Sequence, residues 1–200
     1  MNNNSQATNP SPLPQNERVG KTVIMVGTNG TGKTTMLRQI LHNSGQRALI
    51  VTPDDVEWQQ YPETPLLAAD DFVFDGIRRH IFSPRHTLEA ITHFRKGIIV
   101  FDDCRSYLGD KTDERIRDLF IRKRQRELDV FAVAHGFTQV PPVFFTFATD
   151  YFVFHTLDNI VRRKNCITDD SAFERIKQAQ AELKKEFANN PHAYRRIKVA

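Results

Sequence analysis

The sequence predicts an α/β fold with helices on both faces of a mainly parallel sheet of about five strands. Three observations carry this. The apolar stretch Thr22-Val23-Ile24-Met25-Val26 runs directly into the glycine-rich turn Gly27-Thr28-Asn29-Gly30-Thr31-Gly32-Lys33-Thr34, and then into residues with helical spacing. Further short apolar runs recur along the chain, separated by polar or helix-like sequence, as strands buried on both faces require. One of them, Ile98-Ile99-Val100-Phe101, ends in the acids Asp102 and Asp103.

Composition bounds the reading. A chain of 200 residues is long enough for one well-buried α/β domain and short for two. A net charge of +4 and a pI near 9.2 permit a polyanionic partner without requiring one. The two cysteines, Cys104 and Cys166, lie too far apart to suggest a disulfide framework or zinc site, and the seven histidines are singletons. No apolar run approaches the roughly 18 residues of a transmembrane helix, and no signal peptide opens the chain. A soluble, cytoplasmic protein with no transmembrane segment is expected.

Residues 1–18, rich in Asn, Ser, Gln and Pro, read as a disordered tail, with the ordered domain spanning 19–190. The glycine-rich turn fits G-x-x-x-x-G-K-[ST], and its place between strand and helix marks it as a P-loop. Backbone N–H groups at a helix N-terminus cradle phosphates, and glycines let the backbone approach them. The cofactor-binding residues for ATP are therefore Gly27, Thr28, Asn29, Gly30, Thr31, Gly32, Lys33, Thr34 and Thr35. Lys33 would reach the β- and γ-phosphates, and the Thr34 hydroxyl would hold Mg²⁺.

Asn43-Ser44-Gly45 stops the helix, and Ala48-Leu49-Ile50-Val51-Thr52 forms the second strand. The residues after Pro53 fall where α/β sheets place ligand-facing loops, and the lone Trp58 there suits core or lid packing better than base stacking. The acidic pair Asp54-Asp55 reads as a solvated loop. Residues 59–97 are the least legible, with a short strand at Phe72–Phe74 and a helix from Thr87 to Phe94 expected. The run ending in Asp102-Asp103, downstream of a P-loop, reads as Walker B. Asp102 would hold the Mg²⁺ shell through water, and Asp103 would polarise the attacking water.

Residues Asp110 to Leu128 read as an amphipathic helix capped by Asp110 or Thr112, with Ile116, Leu119 and Phe120 inward. Its other surface is basic, with Arg115, Arg117, Arg122, Lys123, Arg124 and Arg126. An ordinary solvated face, a DNA-backbone contact, and an arginine inserted into a neighbouring subunit's site are all compatible with it. Asp129 to Ala134 forms a strand that brings His135 beside the end of the Walker B strand, either to sense phosphate or simply to satisfy a strand terminus. Tyr151 to His155 makes a fifth strand, Asp169 to Phe187 a final helix, and residues 191–200 a basic C-terminal tail.

Together, the P-loop, the strand ending in Asp102-Asp103 and the strand ending in His135 resemble the additional-strand (RecA-like) P-loop NTPases, a three-layer fold. The segment Phe120-Ile121-Arg122-Lys123-Arg124-Gln125-Arg126-Glu127-Leu128-Asp129-Val130, then Ala134-His135 and Gln139-Val140-Pro141, is similar to zonula-occludens-toxin-like proteins and FtsK/HerA-type DNA-pumping ATPases. The chain departs from that pattern in having Asp103 for the usual Glu and Ala134-His135 for Thr-Gln. The resemblance implies a Walker B strand beside the P-loop strand, assembly as a homo-oligomeric ring on double- or single-stranded DNA, and Arg124 acting across a subunit boundary. Lys33, Asp103, Arg124 and His135 would be catalytic, with Thr34 and Asp102 on the metal. The function it implies is Mg²⁺-dependent ATP hydrolysis coupled to DNA translocation in viral or phage genome packaging, with virion or portal proteins as further partners. A toxin-type phage assembly or export factor and a small P-loop kinase are the alternatives.

Overall fold

A computed structural model of the protein describes residues 20–54, 56–109, 111 and 113–199. The expected tail at 1–18 and the cap candidates Asp110 and Thr112 lie outside the described residues. The elements in chain order are β1 (Thr22–Val26), α1 (Lys33–Ser44), β2 (Ala48–Thr52), β3 (Ile77–Ile81), α2 (Thr87–Ala90) and β4 (Gly97–Phe101). They continue with α3 (Glu114–Arg122), β5 (Leu128–Ala134), α4 (Pro142–Thr146), β6 (Asp150–Val153), α5 (Asp170–Glu186) and β7 (Arg195–Lys198).

The strands form one seven-stranded sheet in the order β3-β2-β4-β5-β1-β6-β7, parallel except for β7. Strands β1, β2, β4 and β5 are buried along their whole length, which explains their unbroken apolar runs. Alternate side chains serve opposite faces. Val23, Met25, Ile50, Val100 and Val133 pack with Leu37 and Leu41 of α1. Ile24, Val26, Leu49, Ile99 and Ala132 pack with Leu119 and Phe120 of α3, Phe144 of α4 and Phe173 and Ile176 of α5. The three layers follow from that alternation.

Four expectations are corrected. The sheet has seven strands rather than about five, because both outer strands escaped an apolar-run criterion: β3 is Ile-Arg-Arg-His-Ile and β7 is Arg-Arg-Ile-Lys. Charge on an edge strand is ordinary, since only one side is paired and the outer face meets water. The short strand falls at Ile77–Ile81 and not at Phe72–Phe74, where a 3-10 turn ends. Residues 195–198, read as part of a solvated tail, pair antiparallel with β6; Ile197 is buried and the Arg196 guanidinium reaches Asp150 at 2.7 Å. Finally, strand β4, read as Walker B, does not adjoin the P-loop strand β1, because β5 lies between them and bonds to both. This intervening strand is the additional strand of the RecA-like type.

Helix α3 is shorter than the pattern suggested, starting at Glu114 with Asp113 as its cap, whose side chain accepts from the Arg115 N–H. Much of its basic surface is satisfied internally. Arg115 pairs with Asp113, Arg122 and Arg126 both pair with Asp118, and the Lys123 ammonium turns inward to the Thr22 hydroxyl. Burial of that ammonium holds its pKa down at about 8, against the raising effect of Asp129.

Because β7 completes the sheet edge, a chain ending at Asn190 is expected to lose more than about 2 kcal/mol of stability, chiefly from uncovering Ile197 and the face of β6. Urea unfolding monitored by circular dichroism checks this; an unchanged midpoint would restore the tail reading.

Candidate active site

The parallel strands β1, β4 and β5 all point their C-terminal ends at one edge of the sheet, and the loops beyond them enclose a cavity of about 470 Å³. Asn29, Gly30, Gly32, Lys33, Thr34 and Thr35 line it from the glycine-rich loop, Asp102 and Asp103 from the end of β4, and His135 from the end of β5. These sequence-predicted residues therefore meet in one place.

The loop is fixed before any ligand is considered. The Gly27 N–H donates to Ala134 O at 3.2 Å and the Thr28 N–H to His155 O at 2.8 Å, so the loop is sewn to the ends of β5 and β6. The buried Thr31 hydroxyl donates to Thr28 O at 2.8 Å. Gly27, Thr28 and Thr31 thus build the loop and do not line the cavity. A Cβ on Gly27 would stand 2.5 Å from the Phe154 Cβ, so this position excludes any side chain. Gly32, at φ +91°, is the N-cap of α1 and offers no side chain to the first-turn N–H groups. Those groups are left for an anion.

Lys33 is buried, and its ammonium donates to Gly27 O at 2.5 Å and to Thr28 O at 3.0 Å. An ammonium has three N–H donors, so one remains for a phosphate oxygen. Burial lowers its pKa, and the charges of Asp102, Glu57 and Asp103 oppose that shift. The Thr34 hydroxyl donates to Glu57 Oε1 at 2.7 Å. Asp102 is 7% exposed, and its Oδ2 accepts from Trp58 Nε1 at 2.6 Å. Desolvation pushes the Asp102 carboxyl up to about 6, the Trp58 bond pulls it down, and the Glu57 and Asp103 charges push it up again.

These oxygens suit magnesium. Thr34 and Asp102 present only hard donors, and among the described residues no group of three His, Cys, Asp or Glu side chains could hold an ion alone. Mg²⁺ characteristically takes few protein ligands and completes its octahedron with water and phosphate. When bound, it would neutralise charge developing on the phosphates, with Thr34 and Asp102 holding it.

Asp103 follows β4 in a left-handed conformation, φ 42° and ψ 51°, which is rare for a residue with a side chain. Ser106 Oγ donates to its Oδ2, and His135 Nε2 stands 4.0 Å from its Oδ1. His135 is held by its own N–H, which donates to Gln139 Oε1 at 3.0 Å, and its Nδ1 is a buried atom with no hydrogen-bond partner. Asp103 and His135 therefore stand side by side in the cavity wall, both partly exposed.

Arg124 is not brought to this cavity. It lies exposed in the turn between α3 and β5, at the edge where strands begin, and the P-loop lies at the edge where they end. Sequence reasoning also missed cavity residues. Glu57 belongs to the loop after β2, where only its position at the ligand edge signalled a role. Trp58 is fully buried, in accord with the packing expected of it, and additionally bonds Asp102. His192 lies in the stretch read as a tail, yet it lines the cavity opposite Gly32. No sequence signal pointed to it.

A three-layer, mainly parallel sheet with a glycine-rich loop between β1 and α1 is the fold of a P-loop NTPase. No family model matches the chain, and no curated protein matches it in sequence. Among solved structures, it is similar to the genome packaging NTPase B204 from Sulfolobus turreted icosahedral virus 2. The complex with AMPPCP matches at a TM-score of 0.63 with 13% identity, covering 90% of this chain and 98% of that one. The complex with AMP matches at 0.63 and 13%, covering 80% and 87%. At such identity the likeness is one of fold. The N-terminal domain of zonular occludens toxin from Neisseria meningitidis matches at a TM-score of 0.42 with 13% identity, over 66% of this chain and 75% of that one, and bears no argument.

The raised Asp102 pKa has a definite sign in stability. Below about pH 4 the carboxyl is protonated in folded and unfolded chains alike. Between there and about 6 the folded chain binds the proton more tightly, so stability falls as pH rises through that window. The full loss is on the order of 3 kcal/mol. Asp102→Asn keeps an oxygen for Trp58 and removes the buried charge. In metal-free buffer it is expected to melt several degrees above the native chain at pH 7.5 and level with it at pH 3.5, as thermal melts across pH would read.

Proposed function

We propose that this chain is a Mg²⁺-dependent ATPase that couples hydrolysis to DNA translocation in viral or phage genome packaging, working as a homo-oligomeric ring. The observation that carries the reading is the single cavity in which Lys33, Thr34, Asp102, Asp103 and His135 converge. Its chemistry suits phosphoryl transfer to water: N–H groups and an ammonium for the phosphates, oxygens for a cation, and a carboxylate beside an imidazole for the attacking water. Packaging as the task, rather than ATP hydrolysis alone, is supported by the B204 fold likeness over nearly all of both chains. Virion or portal proteins would be the partners of such a motor, in the host cytoplasm or on the virion. Among the described residues no helix is long and apolar enough to cross a membrane.

In this reading Lys33 binds the β- and γ-phosphates, Asp103 accepts the proton of the attacking water, and His135 orients that water or senses the γ-phosphate. Arg124 acts in trans. Its place at the opposite edge of the sheet means it could reach a γ-phosphate only in a neighbouring copy, where its fork would stabilise charge in the transition state.

Phosphate release measured with and without double-stranded DNA, and with no other acceptor, tests the reading. DNA-stimulated release is expected; turnover that requires a small-molecule acceptor would indicate a kinase instead. Lys33→Ala should abolish turnover in a folded chain. Asp103→Asn should slow hydrolysis at least about 100-fold while changing nucleotide affinity little. Arg124→Ala should bind ATP and not hydrolyse it, and mixing it with Lys33→Ala should recover part of the activity. Verified mixed oligomers without recovery would reject the trans arginine, and full activity in a strict monomer would reject the ring.

A further inference from the structure

The loop after β2 touches both residues assigned to magnesium. We infer that Glu57 and Trp58 are positioning residues that orient Thr34 and Asp102 towards one cation, an inference that rests on the nucleotide site proposed above. The hydrogen-bond inventory of the four side chains supports it. A threonine hydroxyl has one proton and two lone pairs, and an ionised glutamate can only accept. With Glu57 Oε1 2.7 Å from Thr34 Oγ1, the threonine proton is directed at Glu57 and the lone pairs are left for a cation. An indole N–H can only donate. Trp58 Nε1, 2.6 Å from Asp102 Oδ2, therefore fixes one oxygen of a carboxylate that also accepts from the Asp103 N–H, and the lone pairs these two bonds leave are available to a metal-bound water. Because Glu57 and Trp58 are consecutive, the same short piece of backbone sets both metal residues relative to each other.

That backbone is itself docked in register. Thr34, Arg38 and His42 recur at four-residue spacing and so share one face of α1. Each meets the loop. Thr34 bonds Glu57; Arg38 Nη2 donates to Glu57 O at 3.0 Å, with its guanidinium 5.2 Å from the Trp58 ring centroid; His42 Nε2 lies 3.0 Å from the Tyr61 hydroxyl. Trp58 and Tyr61 stack with centroids 6.0 Å apart, and Trp58 is fully buried against Leu37 and Leu41. The loop is thus clamped along α1 on one side and tied to the end of β4 on the other. It is the only part of the described chain that bonds to the side chains of both Thr34 and Asp102 in these hydrogen bonds.

Partners of metal ligands that act in this way commonly contribute 10–100-fold to metal affinity. The test is a Mg²⁺ titration of the full chain carrying mant-AMPPNP, read by mant fluorescence, alongside mant-AMPPNP affinity in EDTA. Glu57→Ala is expected to raise the half-saturating Mg²⁺ concentration about 10-fold with the EDTA affinity unchanged. Glu57→Gln, which keeps the acceptor oxygen, should restore most of the native value. Trp58→Phe, which keeps the aromatic filling and loses the N–H, should shift the Mg²⁺ midpoint several-fold in the same direction. A Glu57→Ala midpoint within twofold of native overturns the inference. So does a Glu57→Gln variant as impaired as Glu57→Ala, since the charge would then be acting directly on the metal. Should the native chain fail to bind mant-AMPPNP at all, the nucleotide reading falls and this one with it; native binding with an unmoved midpoint removes the positioning role alone.

Discussion

Strands β4, β5 and β1 lie side by side, hydrogen-bonded in the same direction, with Phe101 opposite Ala132 and Val26 opposite Ala134. Parallel pairing at this register forces three chain exits onto one edge of the sheet, and the residues that leave there are Gly27, Asp102 and His135. Nothing local brings these groups together; the pairing does. It equally forces every return crossover to the opposite edge, which is where Arg124 lies and where Lys123 reaches back to the Thr22 hydroxyl. A division of the molecule into a chemical edge and a structural edge follows from strand direction alone.

The chemical edge holds buried charge of both signs, and burial drives each group toward neutrality: the Lys33 ammonium downward and the Asp102 carboxyl upward. A phosphate beside the first and a cation beside the second would each supply the countercharge that desolvation makes valuable. A site of this kind favours the pair of ligands together over either one, which is what a magnesium–nucleotide complex presents. Asp103 and His135 differ from that pair in being partly exposed.

Local chemistry that was strong in the sequence translated directly. The P-loop was legible because its glycines answer a backbone requirement that few other residues meet, seen in the Gly27 contact with Phe154 and the left-handed Gly32. Strands buried on both faces announced themselves as apolar runs. The outer strands did not, because an edge tolerates the arginines of β3 and β7 and carries only a single buried position such as Ile197. The basic stripe of α3 was legible as charge, but its pairing with Asp113 and Asp118 became evident only in three dimensions.

By itself the sequence determined an α/β sheet, a P-loop at the start of α1 and an acidic strand end, since glycine, lysine and consecutive carboxylates in those settings have few physical uses. The tertiary structure decided which strand separates the P-loop from Asp102 and Asp103, and that Glu57, Trp58 and His192 also line or brace the cavity. Those residues come from a loop and a C-terminal segment whose sequences carry no periodicity. Their positions follow from long-range packing, with Trp58 buried against α1 and β7 paired to β6, and such contacts leave no trace in the order of neighbouring residues.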